Sequence, residues 1–524
     1  MPISKRLVLI NTASSLATRL LTITVLIWLQ QYLLKRVTPE EYSLLPVLYS
    51  IMMFAPLITT VLTGGLGRYL VEAYARSDDE RVTRIVSTMF PILCAGGLAF
   101  LGAGWTIAWY IDHLVNISPE LLWDARVMMA LLIFSAAIRL PLSPFGMGLY
   151  VRQKFVLQNM IGVGTELFRL TLLFTLLYTA GDRVIWVIAA SVGADMLNLA
   201  ITQTVSRRLV PSLRLRRAYR DRTLAKEMVG FGGWNFVNGL FGAVLQSADP
   251  IVLNRFASAV DVSCFYLGSL PIRQFKSLYA GYSGAIEPVV ISMHAMNQND
   301  RLTELFIRMG RLSLWSSLFV AAPFMILGSD IFALYVGNAY GQAGVVSMLL
   351  FACFPMNYGN SILWPIASAR AQLRCLAWRT ALENSFNLGL TIYLVASLHL
   401  GAKGSALASV ISVYLGHLLL WWPLAIRLLN MRLRRVLSET ILPGTVPFLA
   451  SVLLMLGLRA CVASPQWTAV IVIAIAGATV YILCLVVLMK DNDRADVRRM
   501  IRSALRYRSE TRKSTWSRNT EVSL

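Results

Sequence analysis

Arg273 and Lys276 stand three residues apart in an apolar stretch long enough to cross a bilayer. On a helix that spacing puts both cations on one face. Being of like sign, they cannot neutralise each other, and a charge at the centre of a membrane helix costs about 2.5–3.5 kcal/mol unless it meets a counter-charge or water. Asp249, in the preceding apolar stretch, is the nearest anion in sequence, and pairing with it still leaves one cation over. A surplus positive charge in a central cavity suits a phosphate-bearing ligand, whereas a purely structural role would be to hold helices together. Arg19 and Arg139, also within apolar stretches, are candidates to add to that charge, again with helix packing as the alternative. Asn235, Asn238 and Gln246 share the stretch of Asp249 and offer uncharged contacts to sugar hydroxyls. Because a carboxylate repels phosphate, Asp249 itself reads as a counter-charge or an ion-coupling site rather than a direct ligand contact.

A second set has the composition of structural glue. Glu166 and Arg169 are three apart on one face, so they can pair with each other. Asp195, at similar depth in the next stretch, is expected to complete a triad joining the two helices. Glu287, Asp330, Glu383 and His417 are the other ionisable groups within apolar stretches of the second half.

The elements that must position these residues are membrane helices. Of 524 residues, 56% are hydrophobic and 14% charged, where soluble domains carry about 25% charged residues. At about 20 residues per crossing, the apolar runs predict about 14 transmembrane helices in an all-α integral membrane protein. Residues 1–206 form a first set of six, a basic stretch 207–228 follows, and 229–428 form a second set of six. Two further helices occupy 429–489, and 490–524 is a basic tail. The predicted spans include 87–111, 312–335 and 343–368. Both sixes open alike: Leu34-Lys-Arg36 is followed by Glu41 and Tyr42, and Leu253-Asn-Arg255 by Asp261 and Tyr266. That echo predicts two related six-helix bundles around a central cavity.

The net charge is +21, with most Lys and Arg falling in alternate gaps between apolar runs. This places those loops and both termini in the cytoplasm and points to anionic membrane lipids as neighbours, not to nucleic acid. The first apolar run, within 1–34, is too long for a cleaved signal and reads as a retained span. Pro141 and Pro144 are expected to kink the fourth helix, and Pro355 and Pro365 to interrupt the tenth. Six cysteines stand singly and His numbers four, so neither a metal site nor a disulfide framework is indicated, and no cofactor is expected. Asn116-Ile-Ser118 has the form of a glycosylation sequon and is taken as a chance match. No Gly-x-x-x-x-Gly-Lys-Ser/Thr loop occurs, so the chain does not bind ATP in that manner.

Several short stretches carry a family likeness. Thr38-Pro-Glu-Glu-Tyr42, Leu62-Thr-Gly-Gly-Leu-Gly-Arg68, Ala248-Asp-Pro-Ile-Val-Leu-Asn254, Tyr335-Val-Gly-Asn-Ala-Tyr340 and Gly401-Ala-Lys-Gly-Ser-Ala-Leu-Ala-Ser409 resemble segments of the Wzx-like flippases. These are the polysaccharide and lipopolysaccharide flippases of the multidrug/oligosaccharidyl-lipid/polysaccharide (MOP) exporter superfamily. Ser43 departs from the pattern, standing where a Gly is usual. The resemblance implies a non-enzymatic inner-membrane transporter that moves an undecaprenyl-pyrophosphate-linked oligosaccharide across the bacterial inner membrane by alternating access. It also implies service to surface polysaccharide or exopolysaccharide synthesis, proton or sodium coupling, and a polymerase and export machinery as partners. A drug or metabolite antiporter of the same superfamily is the alternative. A membrane polysaccharide polymerase or glycosyltransferase is the further one, disfavoured by outer loops too short to hold a catalytic group.

Overall fold

In hydrocarbon every backbone N–H and C=O must be satisfied within the chain, which leaves helices as the form for apolar runs of this length. The computed structural model describes residues 23–489 except 54, 57–58, 60–62, 64–65, 153, 227, 229–247, 284–285, 287–289, 291–292, 295, 297, 371–372 and 463, and also residue 494. Among the described residues the regular structure is all helical, and nine helices are long and apolar enough to cross a membrane. The first half of the chain contributes α1 (Ile23–Leu34), α2 (Pro39–Met52), α3 (Leu66–Ala75), α4 (Asp79–Trp109), α5 (Leu122–Gly146), α6 (Phe155–Ala180) and α7 (Ile185–Leu209). The second contributes α8 (Ala248–Phe256), α9 (Ala259–Ser283), α10 (Asn299–Val336), α11 (Gln342–Ala352), α12 (Leu373–Ile392) and α13 (Gly401–Gly416). Two more, α14 (Leu442–Ala460) and α15 (Trp467–Leu488), complete the order.

Helix ends differ from the apolar runs in an instructive way. α4 begins at Asp79, well before the predicted start at 87, because Asp78 caps it: its carboxylate accepts from Arg81 N at 2.8 Å, with Asp79 and Glu80 in the first turn. α10 likewise begins at Asn299 rather than 312. Both extensions are amphipathic turns, with charged residues beside the buried Val82, Ile85, Leu302 and Phe306, so mean hydropathy does not mark them as part of a span. The predicted span 343–368 is broken, as its prolines imply, into α11, a short helix Phe354–Gly359 and another at Leu363–Ala369. Pro141 and Pro144 lie inside α5.

The echo between the halves is built from matching hydrogen bonds. Thr38 Oγ1 caps α2 by accepting from Glu41 N at 3.3 Å, and Ser258 Oγ caps α9 by accepting from Asp261 N at 3.1 Å. Each acid then reaches the start of the last helix of its own half. Glu41 accepts from Val184 N at 2.6 Å beside α7, and Asp261 from Ala402 N at 3.0 Å in α13. At the opposite end, Thr83 of α4 donates to Ser212 O at 2.9 Å and Thr303 of α10 to Leu429 O at 3.4 Å. Thr38 and Ser258, Glu41 and Asp261, and Thr83 and Thr303 are all separated by the same interval of 220 residues.

Among the described residues the halves meet at one end only. There a single buried cluster draws Leu33, Leu45 and Leu48 from the first half together with Val252, Leu253 and Val336 from the second. At the other end the cores are separate. Leu66, Val82 and Ile85 pack within the first half, and Leu302, Phe306 and Ile366 within the second. We refer to these as the closed and open ends. Inside a membrane, helix association rests on close packing rather than on the hydrophobic effect. Gly268 of α9 illustrates it, since a Cβ there would lie 2.5 Å from Ala343 O in the first turn of α11. The basic stretch after α7 is also fixed, with Arg216 N donating to Ser87 Oγ at 2.8 Å and Asp221 N to Thr88 Oγ1 at 3.0 Å on α4. α14 and α15 dock on α10. Trp315 Nε1 donates to Pro443 O at 2.9 Å, Tyr481 OH to Trp315 O at 2.8 Å, and Arg459 pairs with Asp330 through both carboxylate oxygens.

Candidate functional site

α9 carries both cations on accessible positions even though neighbouring Leu267, Ile272 and Val262 are buried. Arg273 is held by its own helix. Its Nε donates to Ser269 Oγ at 3.1 Å, and its guanidinium lies over the Tyr266 ring at 4.7 Å from the centroid. Those contacts orient the group without neutralising it. Among the described residues neither Arg273 nor Lys276 makes an ion pair. Tyr266 in turn meets Tyr42 of α2 edge to face at 6.3 Å, and Tyr42 donates to the buried Gln30 of α1. One ring therefore separates the cation from the seam between the halves.

Asp249 on α8 does not bond to either cation. It accepts from Ser405 Oγ of α13 at 2.8 Å and from Thr391 Oγ1 of α12 at 3.4 Å. Two hydroxyls replace part of the hydration a carboxylate loses on leaving water, and Arg273 lies near enough to act on its charge without forming an ion pair. It thus joins three helices of the second half. Glu383 of α12, beyond the expected site, accepts from Trp421 Nε1, and Gly416 gives it room: a Cβ at Gly416 would lie 2.7 Å from the Glu383 carboxyl carbon. The chain at His417–Trp421 is a π-helical turn, a local widening that aims Trp421 at Glu383. Position in an apolar run marked Glu383 as unusual; its partner and the tight glycine needed the fold.

In the first half the intramembrane charges among the described residues fall into pairs. Glu166 and Arg169 pair within α6, Arg169 Nε to Glu166 Oε2 at 3.0 Å, as their spacing implied. Asp195 of α7 pairs instead with Arg139 of α5 at 3.2 Å, also accepting from Ser135 Oγ at 3.2 Å. The expected triad is therefore two separate pairs, and Arg139 is not a surplus cation. The reason is the packing: α7 lies against both α5 and α6, and Asp195 faces α5. Arg19, Asn235, Asn238 and Gln246 lie outside the described residues.

One further set of residues had no functional signal in the sequence. Asn116, between α4 and α5, and Asn254 of α8 exchange hydrogen bonds across the closed end. Asn116 N donates to Asn254 Oδ1 at 2.6 Å, Asn116 Nδ2 to Asn254 O at 3.1 Å, and Asn254 Nδ2 to Asn116 O at 3.1 Å. Arg255 Nη1 adds a bond to Asn116 Oδ1 at 2.8 Å, and Asn116 Nδ2 reaches Arg255 O at 3.2 Å.

Comparison with known proteins fits this architecture. Residues 4–294 match the polysaccharide biosynthesis protein family. The uncharacterized membrane protein EpsK of Bacillus subtilis (strain 168) is 22% identical over 415 residues, covering 78% of this chain and 80% of that one. Among solved structures, the lipid II flippase MurJ in an inward closed conformation superposes with a TM-score of 0.63 at 14% identity, over 90% of this chain and 98% of MurJ. A multidrug resistance MATE family transporter of the MOP superfamily, in an inward-facing conformation, gives 0.63 at 15% identity, over 80% and 95%. The chain shares its fold with transporters rather than enzymes, as a multi-pass membrane protein. With more than half of its length inside the match, it belongs to the polysaccharide biosynthesis protein family.

Proposed function

We propose that the protein is a flippase for a lipid-linked oligosaccharide, moving an undecaprenyl-pyrophosphate-linked glycan from the inner to the outer leaflet of the bacterial inner membrane by alternating access. The observation that carries this reading is the pair Arg273 and Lys276, accessible on a membrane helix and without a carboxylate partner among the described residues. Two uncompensated cations in that setting favour a diphosphate over a neutral or cationic cargo. Family membership and the superposition with a lipid II flippase support the same substrate class.

In this reading the first and second sets of six helices are the two bundles, with 207–228 as their linker and the cavity between them. The excess of Lys and Arg in alternate loops supports a cytoplasmic position for both termini and the open end. The halves are then joined at the outer side and apart at the inner side, ready to take up cargo from the inner leaflet. Asp249 serves as the ion-coupling group, since its hydroxyl partners leave its charge free to respond to a bound cation. A polymerase on the outer side is the class of enzyme that would consume the product.

The test is direct. The purified protein is reconstituted in liposomes with a fluorescent undecaprenyl-pyrophosphate oligosaccharide, and the cargo reaching the far leaflet is read by an impermeant quencher. Movement with the protein and none without is expected. Movement of cationic drugs but not of the glycolipid would replace this reading with that of a drug antiporter.

A further inference from the structure

We propose that Asn116 and the Asn254–Arg255 pair form a releasable latch that holds the closed end shut and sets the balance between the two conformations of the cycle. The proposal rests on the alternating-access reading for its purpose, but its geometry stands alone. The five hydrogen bonds run both ways between two short segments, one from each half of the chain. Each asparagine amide satisfies the main chain of the other residue, so a shift of a few ångströms breaks the whole set together. Hydrogen bonds fall off steeply with distance and angle, and a set that breaks together gives two discrete states rather than a gradual loosening.

Position makes the latch releasable. Asn254 is buried, but Asn116 is exposed, and both line a polar cavity of about 420 Å³ with Glu40, Ser43, Asp112 and Ser118 at the closed end. Water there can replace each bond as it breaks, so opening does not strand buried polar groups. The repeat makes the latch one-sided. Elsewhere at the closed end, among the described residues, the directional contact between the halves is made by Tyr335 OH at the end of α10, which donates to Ile27 O of α1. Most of the directional bonding across the closed end therefore lies on the Asn116 side.

The experiment measures distance across the closed end by double electron–electron resonance, with nitroxides at Glu120 and Leu400, one in each half, after replacing the six native cysteines. Asn116→Ala, at an exposed position, and Arg255→Ala are each expected to raise the long-distance population about tenfold, and Asn254→Ala at least as much. Size-exclusion profile and helical circular dichroism confirm that each variant is folded. An unchanged distribution in folded Asn116→Ala and Arg255→Ala overturns the latch. Because the measurement needs no cargo, a shifted distribution in a protein that moves no glycolipid would sink only the substrate assignment. Glycolipid transport with unmoved distances would sink only the latch.

Discussion

In the first half of the chain, Arg139 reaches Asp195 from α5 to α7 and Glu166 closes on Arg169 within α6. In the second, Asp249 has two hydroxyls for company while Arg273 has a hydroxyl and a tyrosine ring. The helical frames of the two halves are alike down to the acid that ties the start of the last helix, Glu41 in one and Asp261 in the other. Their interiors are not. A repeated frame keeps what folding requires, and it leaves each interior free to diverge. Among the described residues, the first half pairs its intramembrane charges, and the second holds Arg273 and Lys276 outside any ion pair.

The sharpest way to break that contrast is to reverse the charge of the second half. Arg273→Glu with Lys276→Glu is expected to lower glycolipid movement by about two orders of magnitude, since charge-assisted contacts are worth about 1.5–3 kcal/mol each. Protein level in the membrane is followed in parallel by a C-terminal fluorescent fusion. Undiminished movement at normal level would assign both residues to helix packing. Asp249→Asn comes next, with movement falling about tenfold and the melting temperature little changed. The amide oxygen can still accept from Ser405 and Thr391, but the charge that would answer a coupling ion is gone. Movement at the wild-type rate and with unaltered ion dependence would remove Asp249 from the coupling role.

The balanced half calls for the opposite pattern. Glu166→Gln leaves Arg169 in α6 without its anion, and a loss of about 1–3 kcal/mol is expected, read as a lower melting temperature in detergent. Replacing both by Leu should restore most of that stability, because the pair then vanishes together with its desolvation cost. Transport by the double variant close to wild type would confirm that the pair is structural. A folded double variant that transports nothing would move the pair into the transport route.

How far the sequence could be read follows from the range of each interaction. Membrane helices were legible because the bilayer imposes a long apolar run on each. The Glu166–Arg169 pair was legible because it lies within one helical turn. Asp195 was not, because its partner depends on which neighbour α7 turns it towards, and two helices pack there. The amphipathic first turns of α4 and α10 are not marked by mean hydropathy, and Asn116 looked like a chance sequon because its meaning depends on Asn254 in the other half. Charge type and depth can thus be read from residues one at a time, whereas partners across helices require the packing.

The smallest effect should come from Arg139 and Asp195, and it is the most discriminating for the contrast between halves. Both side chains are about half exposed, at 55% and 48%, so the pair is not sealed in a dry protein core. Solvent screens such a pair, and a double-mutant cycle on Arg139→Leu and Asp195→Leu should give a coupling of only about 0.2–1 kcal/mol. The two single variants should nevertheless differ in transport. On the proposal that both halves line the cargo route, Arg139→Leu leaves an unpaired carboxylate that opposes an anionic cargo, whereas Asp195→Leu frees a cation that favours it. Arg139→Leu is therefore expected to raise the apparent KM for the glycolipid a few-fold and Asp195→Leu to lower it, with the double variant near wild type. If the singles shift KM in the same direction, or not at all, the charge of the first half does not face the cargo, and only the second half reads its charge.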